Sequence, residues 1–170
     1  QGYSSAASDV YKRQVLQYTR NTFRQFDFSE EEIFQICECV RYFVTNQQAL
    51  SVNIHIKRRT AVTQISLKNF AWNIAFQYNI SRDVTAQFVI QTFHEWFVNS
   101  TIDTIRKNLR TTTGNHKIKI DEQIIKHPTI SNWEEKTSIK QIREILIFIN
   151  CDMMLMQTDS IKLMLKLISC

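Results

Sequence analysis

Residues 28–33, Phe28-Ser29-Glu30-Glu31-Glu32-Ile33, open a helix. Ser29 stands at the cap position, where its hydroxyl can accept the Glu32 amide while the Glu32 carboxylate reaches back to the Ser29 amide. Two donors that a helix start leaves without partners are thereby satisfied reciprocally. Phe28 and Ile33 occupy the two positions of a hydrophobic staple, and three glutamates in the first turn sit at the positive end of the helix dipole. Ile33, Ile36, Cys37, Val40, Phe43 and Val44 then recur at helical spacing, an apolar face running to about Asn46. Beyond residue 14 the chain has one glycine, Gly114, and one proline, Pro128. Sheet-rich folds lean on glycine turns, so the expected fold is mostly α, with helices joined by polar caps.

Working outward, residues 50–56 (LSVNIHI) alternate with period two and read as a half-buried strand. Lys57-Arg58-Arg59 would be a basic turn and residues 61–65 a returning strand, giving a small β-hairpin. Ser66 is expected to cap a helix carrying Leu67, Phe70, Ala71, Ile74, Ala75 and Tyr78, broken at Asn79-Ile80. Ser81 caps the next helix, with Val84, Phe88, Val89, Phe93, Trp96 and Phe97 inward. Ser100-Thr101-Ile102-Asp103 offers a second capping box for a short helix, residues 102–110, that buries Ile102, Ile105 and Leu109. Residues 117–120 read as a brief strand. Residues 121–137 form a connector with a partial helix from Ser131. Residues 138–170 form an amphipathic helix or helix hairpin, whose Ile139, Ile142, Leu146, Ile149, Met153 and Met156 follow a heptad seam.

The first residues read differently from the rest. Residues 4–14, SSAASDVYKRQ, resemble the translation of a transposase adapter used in sequencing-library preparation, without a mismatch. They show no helical or alternating apolar pattern before Val15, so residues 1–14 are expected to be an adapter-derived scar and are set aside from the fold. The remaining organisation is a basic helical domain over 15–120, the connector over 121–137 and the heptad element over 138–170, which reads as a dimerisation element. Residues 15–170 carry no family signature.

Charge is unevenly spread. Between Cys39 and Ile120 eleven basic residues face three acidic ones, a net +8 within a chain whose total is +5. Such asymmetry suits a polyanionic partner, although a solvated basic surface has the same composition. The helices over 81–97 and 102–110, with their polar turn, resemble a helix-turn-helix. Its second helix would present Thr104, Arg106, Lys107, Asn108 and Arg110 outward. Arg106 and Arg110, four apart, can pair with guanine; Asn108 suits adenine and Lys107 phosphate. Lys57, Arg58 and Arg59 would form a wing tip on the phosphates. The usual turn glycine is missing, its place taken by Val98-Asn99-Ser100.

Other chemistry is poorly supported. His94-Glu95 begins an H-E-x-x-H zinc pattern, but position 98 is valine. His55, His116 and His127 have no metal-spaced neighbour, and Cys37, Cys39, Cys151 and Cys170 outline neither a zinc site nor a disulfide framework. Glycine-rich phosphate loops and nucleophile elbows are missing. Phe88, Phe93, Trp96 and Phe97 could stack on bases, but their helical spacing marks them as core. The longest apolar run near the C-terminus, residues 145–149, is far short of a membrane span. The expectation is a cytoplasmic, non-catalytic protein without metal or cofactor. It would bind double-stranded DNA through a helix-turn-helix, as a transcriptional or mobile-element regulator, and form a homodimer through the 139–167 heptad face. The alternative is a non-catalytic protein–protein interaction module whose heptad takes a partner helix and whose basic middle is merely solvated.

Overall fold

A computed structural model describes residues 3–51, 54–114 and 116–126, with side chains from Ser8 onward. Among these residues the chain folds into five α-helices: α1 (Tyr3–Arg24), α2 (Glu30–Asn46), α3 (Gln64–Tyr78), α4 (Arg82–Thr92) and α5 (Ile102–Lys107). A 3-10 turn, His94–Trp96, follows α4. The predicted heptad element and residues 127–137 of the connector lie outside the described residues.

The Ser29 capping box forms in full. The Glu32 amide donates to Ser29 Oγ at 3.2 Å, and the Ser29 amide donates to Glu32 Oε2 at 3.0 Å. Ser81 caps α4 as its sequence indicates, accepting from the Val84 amide. Asn79 closes α3 in the left-handed region at φ 51°, and the Ile80 amide returns to the Ala75 carbonyl at 3.0 Å. Asparagine tolerates that conformation better than other side chains do, and the returning bond satisfies carbonyls that the helix end would leave open.

Two caps differ from expectation by one to three residues. Thr63, not Ser66, caps α3, and Ser66 lies buried in its first turn. Thr101, not Ser100, caps α5, accepting from the Thr104 amide. In each case the hydroxyl that sits three residues before a free amide with extended backbone becomes the cap, and its neighbour does not.

The core is aromatic. Phe23 of α1 meets Phe28, Phe70 and Phe93 with ring centroids 5.1, 4.8 and 5.6 Å apart. Phe93 extends the cluster to Phe88 and Trp96, and Phe88 stacks on Phe43 of α2 at 4.3 Å. Each such contact adds about 0.5–1.5 kcal/mol beyond simple burial. Phe88, Phe93, Trp96 and Phe97 are all buried, as their spacing foretold.

No strand occurs among the described residues, so the expected β-hairpin over 50–65 and the brief strand over 117–120 are both corrected. The period-two alternation is nevertheless meaningful, because Ile56 and Val62 are buried. What differs is the partner of the backbone. The Lys57 amide donates to Glu32 Oε1 at 3.2 Å and the Arg58 amide to Glu95 Oε2 at 2.9 Å. Carboxylates from α2 and the 3-10 turn thus take the place of a neighbouring strand.

Residues 111–122 are treated likewise by α3. Asn69 Nδ2 donates to the Thr111 and Ile118 carbonyls at 3.1 and 3.0 Å, and its Oδ1 accepts the Thr111 amide at 3.1 Å. One turn on, Asn73 Nδ2 donates to the Lys119 carbonyl and to Tyr18 Oη, each at 2.9 Å, and its Oδ1 accepts the Asp121 amide at 2.9 Å. A further turn on, Gln77 Nε2 donates to the Glu122 carbonyl at 2.8 Å. Side chains four residues apart share a helix face, so three carboxamides form a ladder along α3 that holds an extended segment without a sheet.

Residues 8–14 lie within α1. α1 runs back to Tyr3, and Gln14 holds Lys126, its Oε1 accepting the Lys126 amide at 2.7 Å. Once Val15, Thr19 and Phe23 are buried and the helix is nucleated, alanine, lysine and arginine upstream propagate it at little cost.

Candidate nucleic-acid interface

α5 packs on α4; Ile105 within it and Leu109 just beyond its end are both buried. It is shorter than the expected 102–110: Lys107 is its last residue and Asn108 its C-cap. Ile102, expected inward, is 39% exposed. A six-residue helix is about 9 Å long, less than two turns, so it offers few side chains to a groove.

Most of the predicted readers are occupied within the molecule. Arg106 pairs with Asp83 at 3.0 Å and Asp103 at 2.8 Å. Arg110 pairs with Glu122 at 3.2 Å and lies 5.1 Å from the centroid of the Trp72 ring. Asn108 Nδ2 donates to the Thr104 carbonyl at 3.3 Å, and the Thr104 and Thr101 hydroxyls are 2.9 Å apart. Lys107 is exposed and meets no partner among the described residues.

Magnitudes separate these pairs. The Arg106 and Arg110 pairs are partly exposed, and such pairs hold about 0.2–1 kcal/mol, little enough to be exchanged for a phosphate. Arg59 differs. Its Nη1 and Nη2 donate to the two Glu32 oxygens at 2.7 and 2.5 Å, its guanidinium lies 4.2 Å from the Phe28 ring centroid, and Nη2 also donates to the Asp27 carbonyl at 3.3 Å. The Arg59 and Glu32 side chains are only 22% and 14% exposed. The Arg59 guanidinium, with the Ser29 and Lys57 amides behind it, holds the Glu32 carboxyl down to about 2, against the opposing pull of burial. Arg59 therefore anchors its loop to the start of α2, whereas Lys57 and Arg58 of the same triplet remain exposed.

The two basic groups lie at opposite ends of α4. Arg106 binds Asp83 in the first turn, whereas the Arg58 amide binds Glu95 beyond the last. An 11-residue helix separates them by about 16 Å.

A cavity of about 210 Å³ adjoins α5, lined by Trp72 and Phe76 of α3, Asn79, Arg82, Thr85 and Leu109. Its signal in the sequence is Phe76, an aromatic residue off the apolar stripe of α3 and 49% exposed.

The remaining histidines and cysteines serve other ends. The His55 and His94 rings meet edge to face at 5.9 Å, and among the described residues no group of three or more His, Cys, Asp or Glu could hold a metal. Cys37 and Cys39 are free and buried; burial pushes the Cys39 thiol up to about 11, with a Thr92 hydrogen bond opposing. No helix among the described residues is long and apolar enough to cross a membrane. No known protein family, curated protein or solved structure matches the chain.

Proposed function

We propose that the protein is a non-catalytic nucleic-acid-binding module that engages its partner chiefly through phosphate contacts. The observation that supports this is the inequality of charge pairing. Between Cys39 and Ile120, the charged side chains of Lys57, Arg58, Lys68, Arg82, Lys107, Lys117 and Lys119 meet no carboxylate among the described residues, whereas Asp83, Glu95 and Asp103 are all engaged by hydrogen bonds or ion pairs. Cations without internal partners release counterions when they meet phosphate, which makes binding strong at low salt and insensitive to sequence.

The finer form of this reading, a helix-turn-helix reading double-stranded DNA, asks more of α5. It requires Arg106 and Arg110 to leave Asp83, Asp103 and Glu122, and Asn108 to leave its own helix. The first exchange is cheap; the second gives up one 3.3 Å bond to the Thr104 carbonyl, while the Asn108 backbone amide still caps α5 on the Ile105 carbonyl. Phosphate engagement by Lys107, Arg82, Lys57 and Arg58 needs neither. The protein–protein alternative rests on the 139–167 heptad, outside the described residues.

Fluorescence anisotropy of the full chain with random-sequence duplex and single strand, across a salt series, tests the proposal. The expected result is a linear fall of log K with log salt, the slope shrinking by about one for Lys107→Ala and again for Arg82→Ala. Arg59→Ala should lower stability and leave the slope of the folded fraction unchanged. Lack of binding at low salt, or salt-independent binding, overturns the proposal.

A further inference from the structure

We infer that the cavity between α3 and the start of α4 is a base-stacking site, which takes one unstacked nucleobase against Phe76 and holds the attached phosphate with Arg82. This rests on the nucleic-acid reading above and specifies the chemistry of one part of it. Trp72 and Phe76, four residues apart on α3, stack with centroids 4.9 Å apart and planes inclined by 24°. The Arg110 guanidinium lies 5.1 Å from the Trp72 ring centroid, so one cation already sits beside this pair of rings. Phe76 continues that stack to the surface and is half-exposed. Exposing an aromatic ring beside a cavity costs burial energy, and a flat π-face is what every base offers.

The polar groups suit the same ligand. Arg82 lines the cavity, is exposed and has no carboxylate partner among the described residues. Asn79 also lines it; its backbone amide closes α3, while its carboxamide makes no hydrogen bond among the described residues and can pair with a base edge. No carboxylate lines the cavity, so an anionic group enters without repulsion from its walls. A volume of about 210 Å³ is below the range of drug-sized pockets and accommodates a single heterocycle. Duplex bases are stacked and paired and cannot enter, so the site favours a base from a single strand or a free nucleotide.

The test measures three ligands with the full chain: a single-stranded oligonucleotide, a duplex of equal phosphate number, and adenosine monophosphate, the last read by quenching of Trp72 fluorescence with Trp72→Phe as control. Because Phe76 is half-exposed, Phe76→Ala should fold, and Phe76→Leu retains apolar bulk without the π-face. The inference expects the strand to bind more tightly than the duplex. It also expects Phe76→Ala and Phe76→Leu to weaken the strand about ten- to hundredfold with an unchanged salt slope and an unchanged duplex affinity. Adenosine monophosphate binding without strand binding would uphold the base site and sink the nucleic-acid reading. Equal strand and duplex affinities, both indifferent to Phe76, would sink the base site and leave phosphate engagement standing. Binding of none of the three overturns both.

Discussion

Glu32 serves three structures with one carboxylate. It completes the cap of α2, receives the Lys57 amide and binds both Arg59 nitrogens. Its folded-state value of about 2 lies below the ordinary 4.5, so its contribution to stability is fully present above about 4.5 and is lost as the pH falls towards 2. Glu32→Gln keeps the shape but loses the charge-assisted bonds. It should cost about 2 kcal/mol at neutral pH, with the gap to wild type closing through the window from 4.5 to 2. Urea denaturation at a series of pH values measures this; a gap independent of pH would refute the assignment of the charge. Lys107 is the opposite case, an exposed cation whose replacement by alanine should leave stability within about 0.5 kcal/mol and act only on nucleic-acid binding.

At the scale of elements, α3 is more than a core helix. One side carries Phe70, Ala71 and Ile74 into the core, and another presents Asn69, Asn73 and Gln77 to residues 111–122. Asn69→Asp and Asn73→Asp keep the acceptor oxygen but put a second acceptor where the donor nitrogen faces two carbonyls at Asn69 and the Lys119 carbonyl at Asn73. The expected outcome is local release of the segment: backbone amides of Thr111 and Asp121 exchange at least about tenfold faster, from a loss of about 1.5–3 kcal/mol, while α2 is unchanged. Hydrogen exchange read by NMR or mass spectrometry decides it. Uniform acceleration across all helices would instead mean that the ladder stabilises the entire fold. Gly114 turns this segment at φ 94°, and a Cβ there would come within 2.9 Å of the His116 ring.

Across the whole molecule, Phe93 joins the helices. Fully buried at the end of α4, its ring meets those of Phe23, Phe70, Phe88 and Trp96, which belong to α1, α3, α4 and the 3-10 turn. Phe93→Ala should cost about 3–5 kcal/mol in chemical denaturation, a large fraction of a domain's total stability. A cost below 1 kcal/mol would show that the cluster refills the space. Charge acts over the same scale with opposite sign: the unpaired cations repel one another, so added phosphate or polyanion should raise the melting temperature if it binds only the folded state.

Local chemistry made the helices legible from the sequence alone. Ser29, Ser81 and Asn79 act on amides and carbonyls within a few residues of themselves, and the apolar spacing of α2 needs no distant partner to be read. The alternation around Ile54 and Ile56 likewise reports a half-buried extended chain. It carries no information about what pairs with that chain's backbone, and here the tertiary structure supplied Glu32 and Glu95 in place of a strand. The candidate site divides along the same line. Lys57, Arg58 and Lys107 stay exposed as their composition suggested, and Asn108 folds back on Thr104 of its own helix, but Arg59, Arg106 and Arg110 find partners that only the folded chain brings near. A hydrogen bond or ion pair between residues 12 to 27 positions apart leaves no periodic trace, because its geometry depends on how helices pack and not on the spacing within any one of them.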